Sequence, residues 1–345
     1  MRILITGGAG FIGSAVVRTA IRQGHEVMNI DALTYASCLE NLREVQDHKN
    51  YSFEKIDIRN KADIRNILFD YKPHYLMNLA AESHVDRSID SADDVLTTNI
   101  IGTYILLDTF TKYWGEHKKN TSYKFHHVST DEVFGNIEND CRFTEETKYN
   151  PKNPYSASKA SSDHLVRSWI NTYGIPAIIT NCSNNYGPYQ FPEKLIPVVI
   201  LNALNNKDIP IYGSGENIRD WIHVDDHADA LLLLLEQGKS GETYNIGSNC
   251  EMSNINLVHL ICEILDKKLK PKKSFKSNIK FVADRPGHDI HYGINPSKLL
   301  NNYPWRPKLN IEQGIEQTVS WYLNNQEWLD NLSDRDGVGT RLGTI

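Results

Sequence analysis

Tyr155 and Lys159 stand four apart in the run Tyr155-Ser156-Ala157-Ser158-Lys159, so on a helix they share one face. A phenol with an ordinary pKa near 10 is a poor base at neutral pH. An ammonium beside it favours the phenolate, and a depression of about two to three units corresponds to roughly 3–4 kcal/mol. Such a phenolate can take a proton from an alcohol while the carbon beneath it gives up a hydride. Upstream lies Thr130-Asp131-Glu132. Thr130 supplies a hydroxyl for the reacting oxygen, but two adjacent carboxyls exceed what simple redox chemistry needs. Loss of water requires both a general acid and a general base. Two carboxyls at one site resist ionising together, so one stays protonated while the other acts as base. The plainer alternatives are an exposed helix pair at 155 and 159, and a strand end whose Thr and Asp cap the next turn.

A hydride needs an acceptor, and the first residues of the chain describe a cradle for one. Ile3-Leu4-Ile5 is an unbroken apolar run that suits a parallel strand covered on both faces. Then come Thr6-Gly7-Gly8-Ala9-Gly10-Phe11-Ile12-Gly13, a stretch to Arg22 at helical spacing, and a second apolar run that stops at Asp31. The glycines let the backbone approach a pyrophosphate, and the helix N-terminus offers it free N–H groups. Asp31 can accept hydrogen bonds from a ribose 2′-OH and would repel a 2′-phosphate, so the cofactor reads as NAD rather than NADP. Gly7, Gly10 and Gly13 are three apart, a departure from G-x-G-x-x-G. That spacing resembles the short-chain dehydrogenase/reductase superfamily, and the Gly-Phe-Ile-Gly ending resembles its extended branch, whose members mostly act on nucleotide sugars.

The elements that must position these groups alternate. Strands are expected at 51–56, 75–79, 123–128 and 177–180, with helices at 61–71, 91–114 and 156–173 between them. The pattern predicts an α/β fold with a doubly wound parallel sheet, a Rossmann domain. Ligands in such sheets sit beyond the carboxyl ends of the strands, where Asp31, Asp57, Ala80 and Ser129 all fall. After Asn181, Pro188, Pro192, Pro197 and Pro210 punctuate the chain. This predicts a smaller, non-contiguous C-terminal substrate domain at 182–222 and 251–330. The Rossmann domain then covers 1–181, with 223–250 returning to it, and 331–345 forms a loose polar tail.

Longer runs sharpen the reading. Ala80-Ala81-Glu82-Ser83-His84-Val85-Asp86-Arg87-Ser88, 129–135, 155–166, 181–188, 191–197, 218–221 and Asp284-Arg285-Pro286-Gly287-His288-Asp289 resemble the dTDP-glucose 4,6-dehydratase family over nearly the whole chain. The resemblance implies a redox-neutral reaction. Tyr155 takes the C4 hydroxyl proton, Glu132 the C5 proton, and Asp131 protonates the departing C6 hydroxyl, while NAD holds the hydride between C4 and C6. It implies cofactor contacts at Asp57, Ile58, Ala80 and Ser129 beside Gly7, Gly10, Phe11, Ile12, Gly13, Asp31, Tyr155 and Lys159. It also implies a nucleotide-diphosphate hexose held by Ser83, Asn184, Lys194, Leu195, Pro210, Tyr212, Arg219, Asn254, Arg285 and His288. The arginines suit diphosphate oxygens. The chain departs from the family at Ala32, where lysine is common, at Phe134, where tyrosine is usual, in a shortened loop after Gly135, and in its tail. These departures bear on which base the substrate carries.

Bulk numbers exclude other classes. The 345 residues are 40% hydrophobic and 23% charged with net charge −6, which fits a globular enzyme without a nucleic-acid footprint. The five cysteines include no Cys-x-x-Cys, which fits reduced thiols in a cytoplasmic protein. Leu231 to Leu235 is too short to span a bilayer. No metal is expected: His223, His227, Asp225, Asp226 and Asp229 read as a strand end and helix cap, and His126 and His127 must point to opposite faces of one strand. Leu96, Ile100, Tyr104, Leu107, Leu165 and Trp169 exceed what covering one sheet face needs, and in the family such helices pair as a four-helix homodimer contact. The rival functions are a 4,6-dehydratase of another nucleotide hexose such as UDP-glucose, a 4-epimerase or decarboxylase sibling without the Asp-Glu pair, and a non-catalytic NAD-binding scaffold.

Overall fold

A computed structural model of the chain describes residues 1–137, 141–284, 288–332, 335 and 338. Its twelve strands run β1 Arg2–Thr6, β2 Glu26–Asp31, β3 Tyr51–Lys55, β4 Tyr75–Asn78, β5 Lys124–Thr130, β6 Ala177–Cys182, β7 Asn184–Tyr186, β8 Ile209–Tyr212, β9 Ile218–His223, β10 Thr243–Ile246, β11 Glu251–Ser253 and β12 Ile279–Val282. The main sheet has the order β10-β6-β5-β4-β1-β2-β3, and every pairing in it is parallel. It is the doubly wound sheet that the alternation predicts, with its order reversing between β1 and β4, the place where such sheets open a crevice. Apolar clusters fill both faces. One gathers Ile3, Ile5, Val16, Leu231 and Leu235, and the other Leu4, Leu76, Leu106, Phe110 and Phe125.

Two small sheets, β11-β9-β7 and β12-β8, lie with the helices Leu195–Leu204, Asn254–Leu269 and Ile311–Asn324 around a third core that includes Trp221, Ile261, Ile315 and Tyr322. β10 pairs with β6 at the edge of the main sheet, whereas the strand that ends at His223 belongs to a small sheet.

Three local expectations need correction. The helix expected over 91–114 is broken: Asp93–Leu96 and Thr103–Glu116 are α-helical, and Thr97–Gly102 between them is a π turn. A single widened turn adds a residue to the spacing and rotates the helix beyond it. Asn99 within it holds the Glu82 N–H and C=O and the Ser158 hydroxyl. Leu107 is not in excess of what covers the sheet but is fully buried in its core. Finally, the described part of the tail is docked rather than loose. Asn331 binds the Glu40 carboxylate, Leu332 is buried, and Arg335 donates to the Tyr35 and Ser37 carbonyls. Just before it, Trp328 Nε1 donates to Asn41 Oδ1 at 2.9 Å, and Asn41 in turn donates to the Ala9 carbonyl.

Candidate active site

The glycine turn follows β1 because nothing larger fits it. Gly7 has φ +71°, and a Cβ there would stand 2.7 Å from the Ala80 backbone. A Cβ on Gly13 would stand 2.0 Å from the Gly7 carbonyl oxygen. The helix Phe11–Arg22 starts from Gly10, with no side chain capping its first N–H groups. They are therefore left for an anion. At the end of β2 the Asp31 carboxylate is buried and fixed by three donors: Ala9 N at 2.9 Å, Leu33 N at 2.8 Å and Ser37 Oγ at 2.8 Å. Asp57 lies two residues beyond β3, clamped by the Arg59 guanidinium, which also reaches Asp94.

One cleft of about 300 Å³ brings these groups together with the reacting ones. It is lined by Gly7, Gly10, Phe11, Ile12, Gly13, Asp31, Asp57, Ile58, Ala80 and Ser129, and by Thr130, Asp131, Glu132, Tyr155 and Lys159. A cradle that a Cβ would fill, a bare helix N-terminus and a fixed carboxylate at the second strand fit NAD. Of the residues expected to hold the sugar nucleotide, Ser83, Asn184 and Lys194 line this cleft, and Lys194 Nζ donates to the Ser83 carbonyl.

The others lie elsewhere. Leu195 opens the helix behind Lys194. Pro210 and Tyr212 are on β8, with the Tyr212 hydroxyl donating to Asp86 and its ring against His288. His288 also contacts Asp284 at 2.6 Å. Arg219 is buried on β9, its guanidinium on the carbonyls of Asp289 and Ile290 and 4.4 Å from the Tyr292 ring centre. Asn254 opens the helix after β11. Arg285 lies outside the described residues.

The electrostatics separate the two acids from the base. Asp131 is only 1% exposed, and its Oδ2 has no hydrogen-bond partner among the described residues. Burial, then Glu132 and Asp220, push its carboxyl well above the usual range, which favours its protonated form. Tyr155 reverses an expectation. Burial first, then the charges of Glu132 and Cys182, push the phenol up rather than down. The Lys159 ammonium is turned to the Val128 carbonyl at 2.8 Å, and burial draws its pKa down, opposed by Asp163. The residues alone therefore do not make the phenolate; the positive charge of an oxidised nicotinamide in this cleft acts in that direction.

Several contributors escape a sequence reading. Asp163 is completely buried, yet it accepts from Ser129, Tyr149 and Asn181. Burial raises its carboxyl, but His127, Lys159 and Tyr149 outweigh that and the net shift is downward. Glu193, its side chain 2% exposed, takes Tyr35 at 3.1 Å and Arg87 at 3.3 Å, with the Arg87 guanidinium stacked 3.9 Å from the Tyr35 ring centre. Thr34, Tyr35 and Thr98 also line the cleft. Arg87 and Glu193 stand in runs that carry the resemblance, but no spacing ties them together. The histidines named above take separate partners. His223 caps the helix Val224–Gln237 with its own ring, where Asp225 or Asp226 was expected to do so. His227 turns to Asn185, Asp229 pairs with Lys308, and His126 and His127 take opposite faces, toward Thr180 and Ser162.

Residues 4–318 match the family model described as GDP-mannose 4,6 dehydratase. The chain is 54% identical to a dTDP-glucose 4,6-dehydratase of Salmonella typhimurium, over 96% of this chain and 95% of the relative. The chain belongs to the dTDP-glucose 4,6-dehydratase family. Solved dehydratases share its fold. The one from Bacillus anthracis, in complex with NAD, is 44% identical with a TM-score of 0.86, over 96% of this chain and 99% of that one. The one from Streptomyces venezuelae, with NAD and TYD bound, is 39% identical with a TM-score of 0.88, over 96% of this chain and all of that one. The dehydratase fold thus accounts for the parallel sheet. Phe134, where the family usually has tyrosine, is buried and stacked on Phe143 with ring centres 5.1 Å apart, so its ring packs in an apolar satellite core.

Proposed function

We propose that the cleft carries out the NAD-dependent dehydration of dTDP-glucose to dTDP-4-keto-6-deoxyglucose. When bound, NAD would be held by the Gly7–Gly13 turn and Asp31, and its nicotinamide would supply a reversible hydride acceptor between C4 and C6. Tyr155 takes the O4 proton, and Thr130 hydrogen-bonds that oxygen. The ketone at C4 acidifies C5–H, which Glu132 removes. Asp131 protonates O6, which leaves as water, and Glu132 returns its proton to C5. Lys159 supports the phenolate, and Ser83 is a further substrate contact. Asn184, Lys194, Leu195, Pro210, Tyr212, Arg219, Asn254, Arg285 and His288 hold the nucleotide diphosphate.

The observation that carries this reading is the Asp131 carboxyl. It is buried, driven to keep its proton, and beside both Glu132 and the Tyr155 phenol. A 4-epimerase needs no such acid. Incubation with dTDP-glucose and UDP-glucose in turn, followed by the alkali-induced absorbance of a 4-keto product, tests the reaction and the base together. Product with neither donor defeats the assignment, and product with UDP-glucose alone moves it to the UDP-hexose dehydratases. The product suits a deoxysugar supply for polysaccharide.

Assembly as a homodimer is part of the same proposal. Leu96, Ile101, Tyr104 and Tyr173 are 41%, 49%, 38% and 50% exposed, and Tyr104 and Tyr173 both flank the Trp169 ring. A second copy would cover this face, and sedimentation of the wild type against Ile101→Asp checks it. No helix among the described residues is long and apolar enough to cross a membrane, and we place the enzyme in the cytoplasm.

A further inference from the structure

The proposed reaction leaves one proton misplaced inside the site. Tyr155 ends each turnover holding the proton from O4. Asp131 ends it without the proton that left in water. Glu132 takes one from C5 and gives one back, so it returns to its starting state. The next substrate needs an ionised phenol and a protonated Asp131, the reverse of what the last one left. One proton must therefore move from Tyr155 to Asp131 in every cycle.

Both groups have little contact with bulk solvent: Tyr155 is 8% exposed and Asp131 1%. Beside Asp131, in the cleft that Tyr155 also lines, stands the Thr130 hydroxyl. It donates to Asp131 Oδ1 at 3.3 Å and accepts from the Glu132 N–H at 3.3 Å. It also interacts with the Tyr155 phenol. A hydroxyl has one proton and two lone pairs. With the backbone N–H on one lone pair and the hydroxyl proton on Asp131, the second lone pair is left for a donor in the cleft that Thr130 shares with Tyr155. Thr130 is held at this spot because it ends β5 and caps the short turn after it.

We propose that Thr130 is the conduit that resets the site, carrying the proton from Tyr155 to Asp131 between turnovers without passing through solvent; this rests on the dehydration reading above. The Tyr155 O–H bond breaks as its proton joins Thr130 Oγ, and the Thr130 O–H bond breaks as its own proton joins Asp131 Oδ1. No electrons change hands and no co-reactant is needed. The threonine hydroxyl ends rotated toward the phenolate, ready to act on the next O4. The groups that bias the transfer are Glu132, Asp220 and Arg219 around Asp131, and Glu132, Cys182 and Asp131 around Tyr155.

The test is a comparison of first and later turnovers in the holoenzyme with dTDP-glucose, by rapid quench, for wild type, Thr130→Val and Thr130→Ser. Valine keeps the shape and removes the hydroxyl. Whatever its first-turnover rate, Thr130→Val should make one product per site and then slow by roughly tenfold or more. Imidazole or formate buffer at fixed pH should restore the later turnovers without changing the first. Thr130→Ser should show neither burst nor buffer dependence. Equal slowing of first and later turnovers in Thr130→Val, or no burst, overturns the proposal, because the hydroxyl then serves only the reacting oxygen. If Thr130→Val does not fold, wild-type turnover decides. An internal return makes it independent of buffer concentration at fixed pH, and a rate that rises with buffer overturns the proposal. A wild type that makes no product from dTDP-glucose would defeat the reaction assignment instead, which separates the two failures.

Discussion

The two ends of the cleft are built by different means. The nucleotide end is made of backbone: a left-handed Gly7, a Gly13 with no room for a methyl, and N–H groups at the start of a helix. Its carboxylates are tied down, Asp31 by three donors and Asp57 by Arg59. The reacting end is made of side chains kept in unfavourable surroundings, with a carboxyl oxygen of Asp131 left without a partner among the described residues and the phenol of Tyr155 among acids. One end is stable because its shape admits nothing else. The other is destabilising, and the sheet around it offsets that. Binding can be specified by local geometry, whereas acid–base chemistry requires groups whose charged forms are penalised.

Substitutions should separate the ends. Asp131→Asn removes the proton donor and should lower formation of the 4-keto product by about 10²–10⁴-fold, while reduced-nicotinamide absorbance still appears on adding substrate. Loss of that absorbance too would show that the acid serves binding and not water loss.

Gly13→Ala at the other end should cost at least tenfold in NAD affinity, about 1.4 kcal/mol, measured by calorimetry, because its methyl meets the Gly7 carbonyl. Asp31→Ala strands three donors and should cost about 1–3 kcal/mol of stability in denaturant melts, together with NAD affinity.

Stability against pH gives a smaller signal with a definite sign. The folded state raises the proton affinity of Asp131, so its contribution is intact below the ordinary carboxyl range, about pH 4, and is lost as pH rises. Asp131→Asn should therefore match wild type near pH 4 and melt higher near pH 8. Equal melting at both pH values would mean that the carboxyl is not held protonated.

The least effect is expected from Arg59→Ala, which breaks a half-exposed ion pair and should cost less than about 1 kcal/mol.

The same contrast explains what could be read from the sequence. The glycine spacing, the acid at the end of β2 and the Tyr-Lys pair are short-range patterns with local physical causes, and all fall in the cleft. The parallel, doubly wound sheet follows from the alternation of apolar runs and helical stretches. Asp163, Arg87 and Glu193 were not legible, because their roles arise from partners far along the chain that only folding brings close. The π turn at 97–102 was hidden as well, since its apolar spacing differs from an α-helix by one residue. The expected depression of the Tyr155 pKa failed because spacing shows that Lys159 shares a helix face but not that its ammonium turns to Val128.

The docked C-terminal segment bears on how the protein is made. The wall of the cleft beyond β2 is braced from behind by Trp328 on Asn41 and by Arg335 on Ser37. Trp328 follows Asn41 by 287 residues. A nascent chain halted before Trp328 therefore has the glycine turn without this support.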